Sequence, residues 1–89
     1  MSEDITIEGK KIGVISHVFG QIGVAAIELS GKLKVGDKVK FKGLTTDFVQ
    51  EINSMQIENR PVTKAGKGDS IGIKVNEKVR VGDFVFKIK

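Results

Sequence analysis

The aliphatic residues of this chain are mostly β-branched, which limits the folds it can adopt. Isoleucine and valine occur 11 times each, against three leucines and three alanines. β-Branched side chains are restricted at χ1 and fit a pleated, half-buried sheet better than a helix. Eleven glycines supply turn positions, and Pro61 is the one proline. The sequence therefore predicts an all-β protein.

A length of 89 residues with 39% hydrophobic content predicts one domain with a modest core. No window approaches the roughly 18 consecutive apolar residues that a membrane span needs. The first residues are acidic and lack the apolar segment of a signal peptide. We therefore expect a cytoplasmic protein that does not enter a membrane.

The chain has few residues that could carry enzyme chemistry. It has no cysteine and a single histidine, His17. The chain therefore has no nucleophile for thiol catalysis and no ligands for a Cys-zinc site or a metal site of two histidines. No phosphate-binding loop of the Gly-x4-Gly-Lys-Ser/Thr type occurs. A lone His on a strand is far more often a surface or packing residue than a base. We expect a protein that is not an enzyme, with no metal, no cofactor and no small-molecule substrate.

Short apolar runs separated by turn residues predict strands. The predicted strands cover residues 11–19, 22–29, 38–42, 47–57, 71–75 and 84–88. Ala25 and Ala26 leave a helix as the alternative for 22–29, and Gly23 favours the strand. In 47–57 the alternation slips by one residue, which predicts a bulge or bend near Asn53 and Ser54. Pro61 cannot donate to a ladder, so the chain is expected to leave the strand there.

One short sequence echo links residues 32–39 with residues 78–85. Both segments contain Val-Gly-Asp followed two residues later by Val. Glycine supplies a positive φ, and Asp bonds its neighbouring backbone. Common turn chemistry explains the echo better than a domain repeat.

A series of lysines is the strongest candidate for a binding surface; its members are Lys32, Lys34, Lys38, Lys40 and Lys42. The chain has a net charge of +4, which is compatible with nucleic acid. Alternate lysines on a strand lie about 6.8 Å apart, close to the spacing of phosphates on an extended strand. Outward lysines also protect sheet edges from pairing. The pattern does not choose between these two roles.

Phe19 and Gln21 lie at a predicted turn, near His17. An exposed aromatic ring beside Gly20 can stack on a base, whereas the scarcity of phenylalanine favours burial of Phe19. The other four phenylalanines are expected in the core, and they are Phe41, Phe48, Phe84 and Phe86.

Four short motifs in order resemble the second, β-barrel domain of translational GTPases of the elongation factor Tu and initiation factor type. The motifs are Gly31-x-Leu33-Lys34-x-Gly36-Asp37-x-Val39, Ile52-x-Ser54-Met55-Gln56, Val62-x-x-Ala65-x-x-Gly68-Asp69-x-x-Gly72-Ile73 and Val79-x-x-Gly82-Asp83-x-Val85. The chain is also similar to small translation elongation factor-like proteins, and to barrels associated with collagenase-like peptidases. The resemblance implies a single six-stranded Greek-key barrel over residues 11–88, with residues 1–10 as an N-terminal arm.

The resemblance implies a non-catalytic, translation-associated binding module that contacts tRNA or ribosomal RNA. The expected RNA-binding residues are the five lysines with Phe19, Gln21 and His17. The alternative is a protein-interaction barrel that docks on a separate peptidase-like or GTPase partner. The GTPase domain is missing, so GTP hydrolysis is not implied. Ala25 and Ala26 lie where the GTPase barrels usually carry Gly-Arg, which weakens the case for aminoacyl-end recognition.

Overall fold

The computed structural model describes residues 10–88, whose regular secondary structure consists of β-strands alone. The ten strands are β1 (Lys10–Phe19), β2 (Val24–Leu29), β3 (Leu33–Lys34), β4 (Lys38–Lys42), β5 (Asp47–Glu51), β6 (Met55–Ile57), β7 (Arg60–Val62), β8 (Lys64–Ala65), β9 (Ser70–Lys74) and β10 (Phe84–Ile88). The prediction of an all-β protein is confirmed. Lys10 begins β1, and the rest of the predicted arm lies outside the described residues. Between residues 10 and 88 no helix could cross a bilayer.

Eight strands form one antiparallel sheet in the order β5-β4-β10-β1-β2-β9-β6-β7, and β3 pairs with β8 in a separate ribbon. The prediction of six strands is wrong, because the chain is divided into more and shorter strands. β5 and β7 end the sheet order, and no ladder between described residues joins them. A closed barrel is therefore not formed by the described strands.

The predicted strand 47–57 is divided into β5 and β6 by residues 52–54. Ile52 is buried, and its N–H and carbonyl bond to Asp37 and Gly36 of a distant turn at 2.8 Å. Because both polar groups of its backbone are used there, Ile52 leaves the ladder. The slip in alternation predicted a bulge or bend near residues 53–54, and the structure has a break in the strand at residues 52–54.

The hairpin of β6 and β7 corrects the expectation for Pro61. Glu58 and Asn59 connect the two strands with φ of 51° and 67°, the left-handed backbone that tight two-residue hairpin turns use. Pro61 pairs with Gln56 inside β7, so the chain does not leave the strand at that point. β7 is an edge strand, where a residue without an N–H is tolerated.

The irregularities of the sheet lie in β1. Its register shifts between Lys11 and Gly13 against β10, and between Ile15 and His17 against β2. Ile12 and Ile15 are consequently both buried, although strict alternation would place them on opposite faces. Strict alternation would also place Val14 and Val18 on the same face as Ile12. Val18 does pack against the core with Ile12, whereas Val14 lies beside the exposed Phe84 in the ladder with β10.

The core lies on the inner face of the sheet and is mainly aliphatic. Its buried hydrophobic members are Ile12, Ile15, Ala25, Ile27, Leu29, Leu33, Val39, Phe41, Ile52, Met55, Ile71, Ile73, Val79 and Val85. Phe41 is fully buried and packs on the partly buried Phe48, with ring centroids 5.0 Å apart. The prediction that Phe84 and Phe86 belong to the core is wrong, since Phe84 is 42% exposed and Phe86 is half-buried.

Three turns share one pattern, with Gly and Asp at the third and fourth positions: residues 34–37, 66–69 and 80–83. Their glycines have φ of 99°, 92° and 95°, and they are Gly36, Gly68 and Gly82. In each turn the Asp carboxylate accepts the backbone N–H of the first residue at 2.8–3.0 Å. The sequence echo is therefore shared turn chemistry, as predicted, and residues 66–69 are a third copy that the echo missed.

Each of these turns is bound to a distant buried aliphatic residue by two backbone hydrogen bonds of 2.8–3.0 Å. The Gly N–H donates to the aliphatic residue's carbonyl, and that residue's own N–H donates to the Asp carbonyl. We call these contacts the turn clamps; they bind turn 34–37 to Ile52, turn 66–69 to Leu29 and turn 80–83 to Ile15. The aliphatic residues are at most 5% exposed, so water competes little for these bonds.

Two of the clamp aspartates make further contacts. Asp83 is buried, and a Cβ at Gly43 would overlap its carboxylate. Asp37 accepts a hydrogen bond from the Lys34 ammonium at 3.0 Å and lies 3.5 Å from Lys87 Nζ. Burial raises the pKa of Asp37, but the Lys34 hydrogen bonds and the charges of Lys87 and Lys34 lower this pKa more. The net pKa of Asp37 is below its ordinary value.

The turn clamps predict a position-specific cost for glycine replacement. Gly68→Ala should destabilise the protein by about 1–2 kcal/mol, because its φ of 92° disfavours a Cβ even though space is free. That loss corresponds to a melting temperature lower by roughly 4–16 °C. Gly66→Ala is the matched control in the same turn, since it has free space and no positive φ. Equal melting temperatures for the two variants would contradict the clamp geometry.

The low pKa of Asp37 predicts a pH-dependent stability. Its ionised form is favoured by folding, so its contribution is present above the unfolded pKa near ~4 and is lost as pH falls through the lower folded pKa. Thermal melts of the native chain and Asp37→Asn should differ most at neutral pH and converge in acid. Lys87→Gln should keep part of this dependence, because Lys34 remains. A gap between native and Asp37→Asn that stays constant down to pH ~2 would refute the assignment.

Candidate functional site

The lysines of β4 lie on the outer face of the sheet, as the alternation predicted. Val39 and Phe41 are fully buried, while Lys38, Lys40 and Lys42 point away from the core. The Lys40 side chain is only 17% exposed. The β4 lysines therefore lie side by side, although they are not equally accessible.

Carboxylates on β5 neutralise part of this charge. Asp47 lies 3.5 Å from Lys40 Nζ and 3.3 Å from Lys42 Nζ, and Glu51 is the cross-strand partner of Lys38. The hydrogen bond from Lys42 and the charges of Lys40 and Lys42 lower the pKa of Asp47. Because these lysines have acidic neighbours within the sheet, they attract phosphate less than their number suggests.

The remaining two lysines of the series lie apart from β4. Lys32 is exposed in the turn after β2, where its carbonyl accepts a hydrogen bond from Lys87 Nζ at 3.4 Å. Lys34 is in β3 and pairs with Asp37 at 3.0 Å. The five lysines therefore do not form one continuous stripe.

His17, Phe19 and Gln21 lie together at the hairpin of β1 and β2. The rings of His17 and Phe19 are stacked, with centroids 6.0 Å apart. Phe19 is 49% exposed and Ile22 is 65% exposed, so the expectation of a buried Phe19 is wrong. Val14 is the last β1 residue that pairs with β10, and Phe19 lies roughly 17 Å further along β1. The hairpin tip is thus separate from the β4 lysines.

The main surface feature that the sequence did not predict is an apolar column on β10. In the register of the sheet, Phe84, Phe86 and Ile88 lie directly opposite Lys42, Lys40 and Lys38. Val14 of β1 lies beside Phe84, and Val49 of β5 lies beside Lys40. We call this surface the apolar face; its apolar members are Val14, Val49, Phe84, Phe86 and Ile88. Val49 is 50% exposed, so the face includes accessible apolar surface.

The short echo contained the signal that could have placed this column. Aligning the two Gly-Asp turns matches Val85 with Val39 and Phe84 with Lys38. Because Val39 alternates with the β4 lysines and points inward, the echo predicts an outward position for Phe84. The expectation that Phe84 belongs to the core with the other phenylalanines gives the opposite assignment.

Residues 10–88 contain no group of three His, Cys, Asp or Glu that could hold a metal ion. An open depression on β7 is lined by Pro61, Val62, Thr63 and Lys64. Lys64 is the one titratable residue among these four, so the depression lacks a paired acid and base.

No family model matches the chain. An uncharacterized protease of Methanocaldococcus jannaschii is 41% identical over 80 residues, which are 89% of this chain and 20% of the protease. A collagenase of Porphyromonas gingivalis is 39% identical over 71 residues, which are 78% of this chain and 20% of the collagenase. The chain thus spans about a fifth of the length of these relatives.

Solved structures show the same fold. The C-terminal domain of a Geobacillus thermoleovorans protein assigned as a U32 peptidase has a TM-score of 0.85 at 19% identity, covering 90% of this chain and 93% of that domain. Bacterial selenocysteine-specific elongation factor has a TM-score of 0.70 at 26% identity, covering 92% of this chain and 15% of the factor. The similarity to peptidase-associated domains is thus supported by both sequence and fold, and the similarity to translation factors is weaker.

Proposed function

We propose that this chain is a non-catalytic, protein-docking domain that works with a peptidase-like protein. One observation carries the proposal: 89% of this chain matches a protease at 41% identity, yet the match occupies only 20% of that protease. Most of the protease lies outside the match and has room for a catalytic domain of its own. A domain with this fold has also been crystallised separately as the C-terminal domain of a peptidase-assigned protein.

The charge arrangement favours protein docking over the RNA interpretation. Nucleic-acid affinity comes mainly from cations that neutralise phosphates, and here Asp47 and Asp37 already pair with Lys40, Lys42 and Lys34. The hairpin residues proposed for base stacking lie away from β4. The translation-factor barrel keeps RNA as the competing hypothesis, with the five lysines, Phe19, Gln21 and His17 as its candidate contacts.

A binding measurement separates the two functions. The probe is the M. jannaschii relative from which the matched 80-residue segment has been deleted, used after circular dichroism has confirmed that it is folded. Titration calorimetry with this chain should give a complex with Kd of about 10 μM or tighter. Its affinity should fall much less steeply between low and moderate salt than RNA binding would, because apolar contact is not screened.

Bulk tRNA is the second probe, followed by amide chemical shifts at low and moderate salt. Salt-sensitive shifts on β4 and the hairpin tip, lost in Lys38→Glu/Lys40→Glu, would support an RNA-binding module. That result together with no protein complex would overturn the proposed function.

A further inference from the structure

We propose that the outer face of β1, β10, β4 and β5, which includes the apolar face, is the surface that docks on the peptidase-like partner. The matching partner surface places apolar side chains against the β10 column and carboxylates against the β4 lysines. This inference rests on the proposed function and adds to it the surface and its chemistry. The hairpin tip, with Phe19 and Ile22, is the competing surface on this chain.

Two exposed large hydrophobic side chains, Val49 and Phe84, lie on this face. The column of Phe84, Phe86 and Ile88 runs along β10, and Val14 extends it sideways onto β1. Leu44, whose side chain is fully exposed, lies in the turn joining β4 to β5. The β10 column and Val14 adjoin one another, and the β4 lysines separate them from Val49. An apolar strip flanked by polar residues is typical of interaction sites in soluble proteins.

The outer face of β1, β10, β4 and β5, which includes the apolar face, is large enough for a contact between domains. Four strands about 4.8 Å apart and three rows about 6.8 Å apart, with the width of the side chains added, give a footprint of about 400 Å². Both partners together would bury about 800 Å². Interfaces between domains of one chain bury roughly 600–1,500 Å², whereas obligate dimers need roughly 2,000 Å² or more. The area therefore favours the rest of a peptidase-like chain over a second copy of this chain.

The charges around the face specify an acidic partner. The outer face of these strands holds four lysines, Lys11, Lys38, Lys40 and Lys42, and two carboxylates, Asp47 and Glu51. The β4 lysines run between the β10 column and Val49. Four positive and two negative charges leave a formal charge of +2. Lys11 Nζ lies 4.6 Å from the centroid of the Phe84 ring, so a cation already occupies one face of this aromatic ring. A nucleobase could not stack on that face of the Phe84 ring, whereas a carboxylate of the partner could pair with the Lys11 ammonium.

Thiol accessibility tests the assignment, because the chain has no cysteine of its own. The protein is the full-length M. jannaschii relative in which this chain replaces the matched segment. Val49→Cys places a thiol on the apolar face, and Ile22→Cys places a matched exposed thiol on the hairpin tip. Labelling of each thiol, followed by peptide mass spectrometry, is compared with labelling in the isolated chain.

We expect the Val49→Cys thiol to be labelled at least about tenfold more slowly in the fusion, and the Ile22→Cys thiol to be labelled equally fast in both proteins. If only the Ile22→Cys thiol is protected, the inference is overturned while the proposed function stands. The proposed function fails as well if neither thiol is protected and the isolated chain does not bind the M. jannaschii relative that lacks the matched segment. Protection of Val49→Cys in the isolated chain that rises with concentration would instead identify a second copy as the occupant and overturn the inference.

A charge reversal tests whether the partner surface is acidic opposite the β4 lysines. Lys38→Glu should weaken binding to the deleted relative by about tenfold at low salt and reduce the salt dependence. Lys67→Glu, on the exposed turn 66–69, is the matched control and should bind as the native chain does. Equal affinity for Lys38→Glu and Lys67→Glu would overturn the assignment of an acidic partner surface.

Discussion

The turn clamps are the interaction on which the arrangement of strands depends. Each one joins a local turn to a core residue that is far away in the sequence, with both hydrogen bonds shielded by buried aliphatic side chains. Clamp 80–83 fixes the start of β10 against Ile15 in the middle of β1. Clamp 34–37 fixes the start of β4 against Ile52. β10, which carries three members of the apolar face, and its neighbour β4 therefore both begin at a clamped turn.

This anchoring explains how a surface can be apolar without collapsing inward. Val85 lies in the core immediately after the 80–83 clamp, so Phe84 must point outward on a pleated strand. The Asp83 carboxylate also packs on Gly43, which ties the β4–β5 loop to the same clamp. The outward direction of Phe84 is therefore set by the backbone before any partner is present.

Local patterns predicted much of the fold. Alternation gave the bounds of β4 and β10, and β-branched composition gave the all-β class. The failures came from long-range contacts: Ile52 leaves its strand because a distant turn uses its backbone, and the two irregularities of β1 change which residues face the core. The candidate site depended on such contacts more strongly. The lysine spacing predicted the β4 face, but the pairing of Asp47 with Lys40 and Lys42 depends on strand register, which is set by tertiary packing.

The two ends of the eight-stranded sheet differ in how they resist unwanted pairing. β7 carries Pro61, which has no N–H to offer to an added strand. β5 instead presents Asp47 and Glu51 on either side of Val49, so its protection is electrostatic. Acid or high salt weakens the electrostatic protection of β5 and leaves the effect of Pro61 on β7 unchanged. Self-association of this protein should consequently begin at β5, and the conditions of storage and crystallisation would decide whether it occurs.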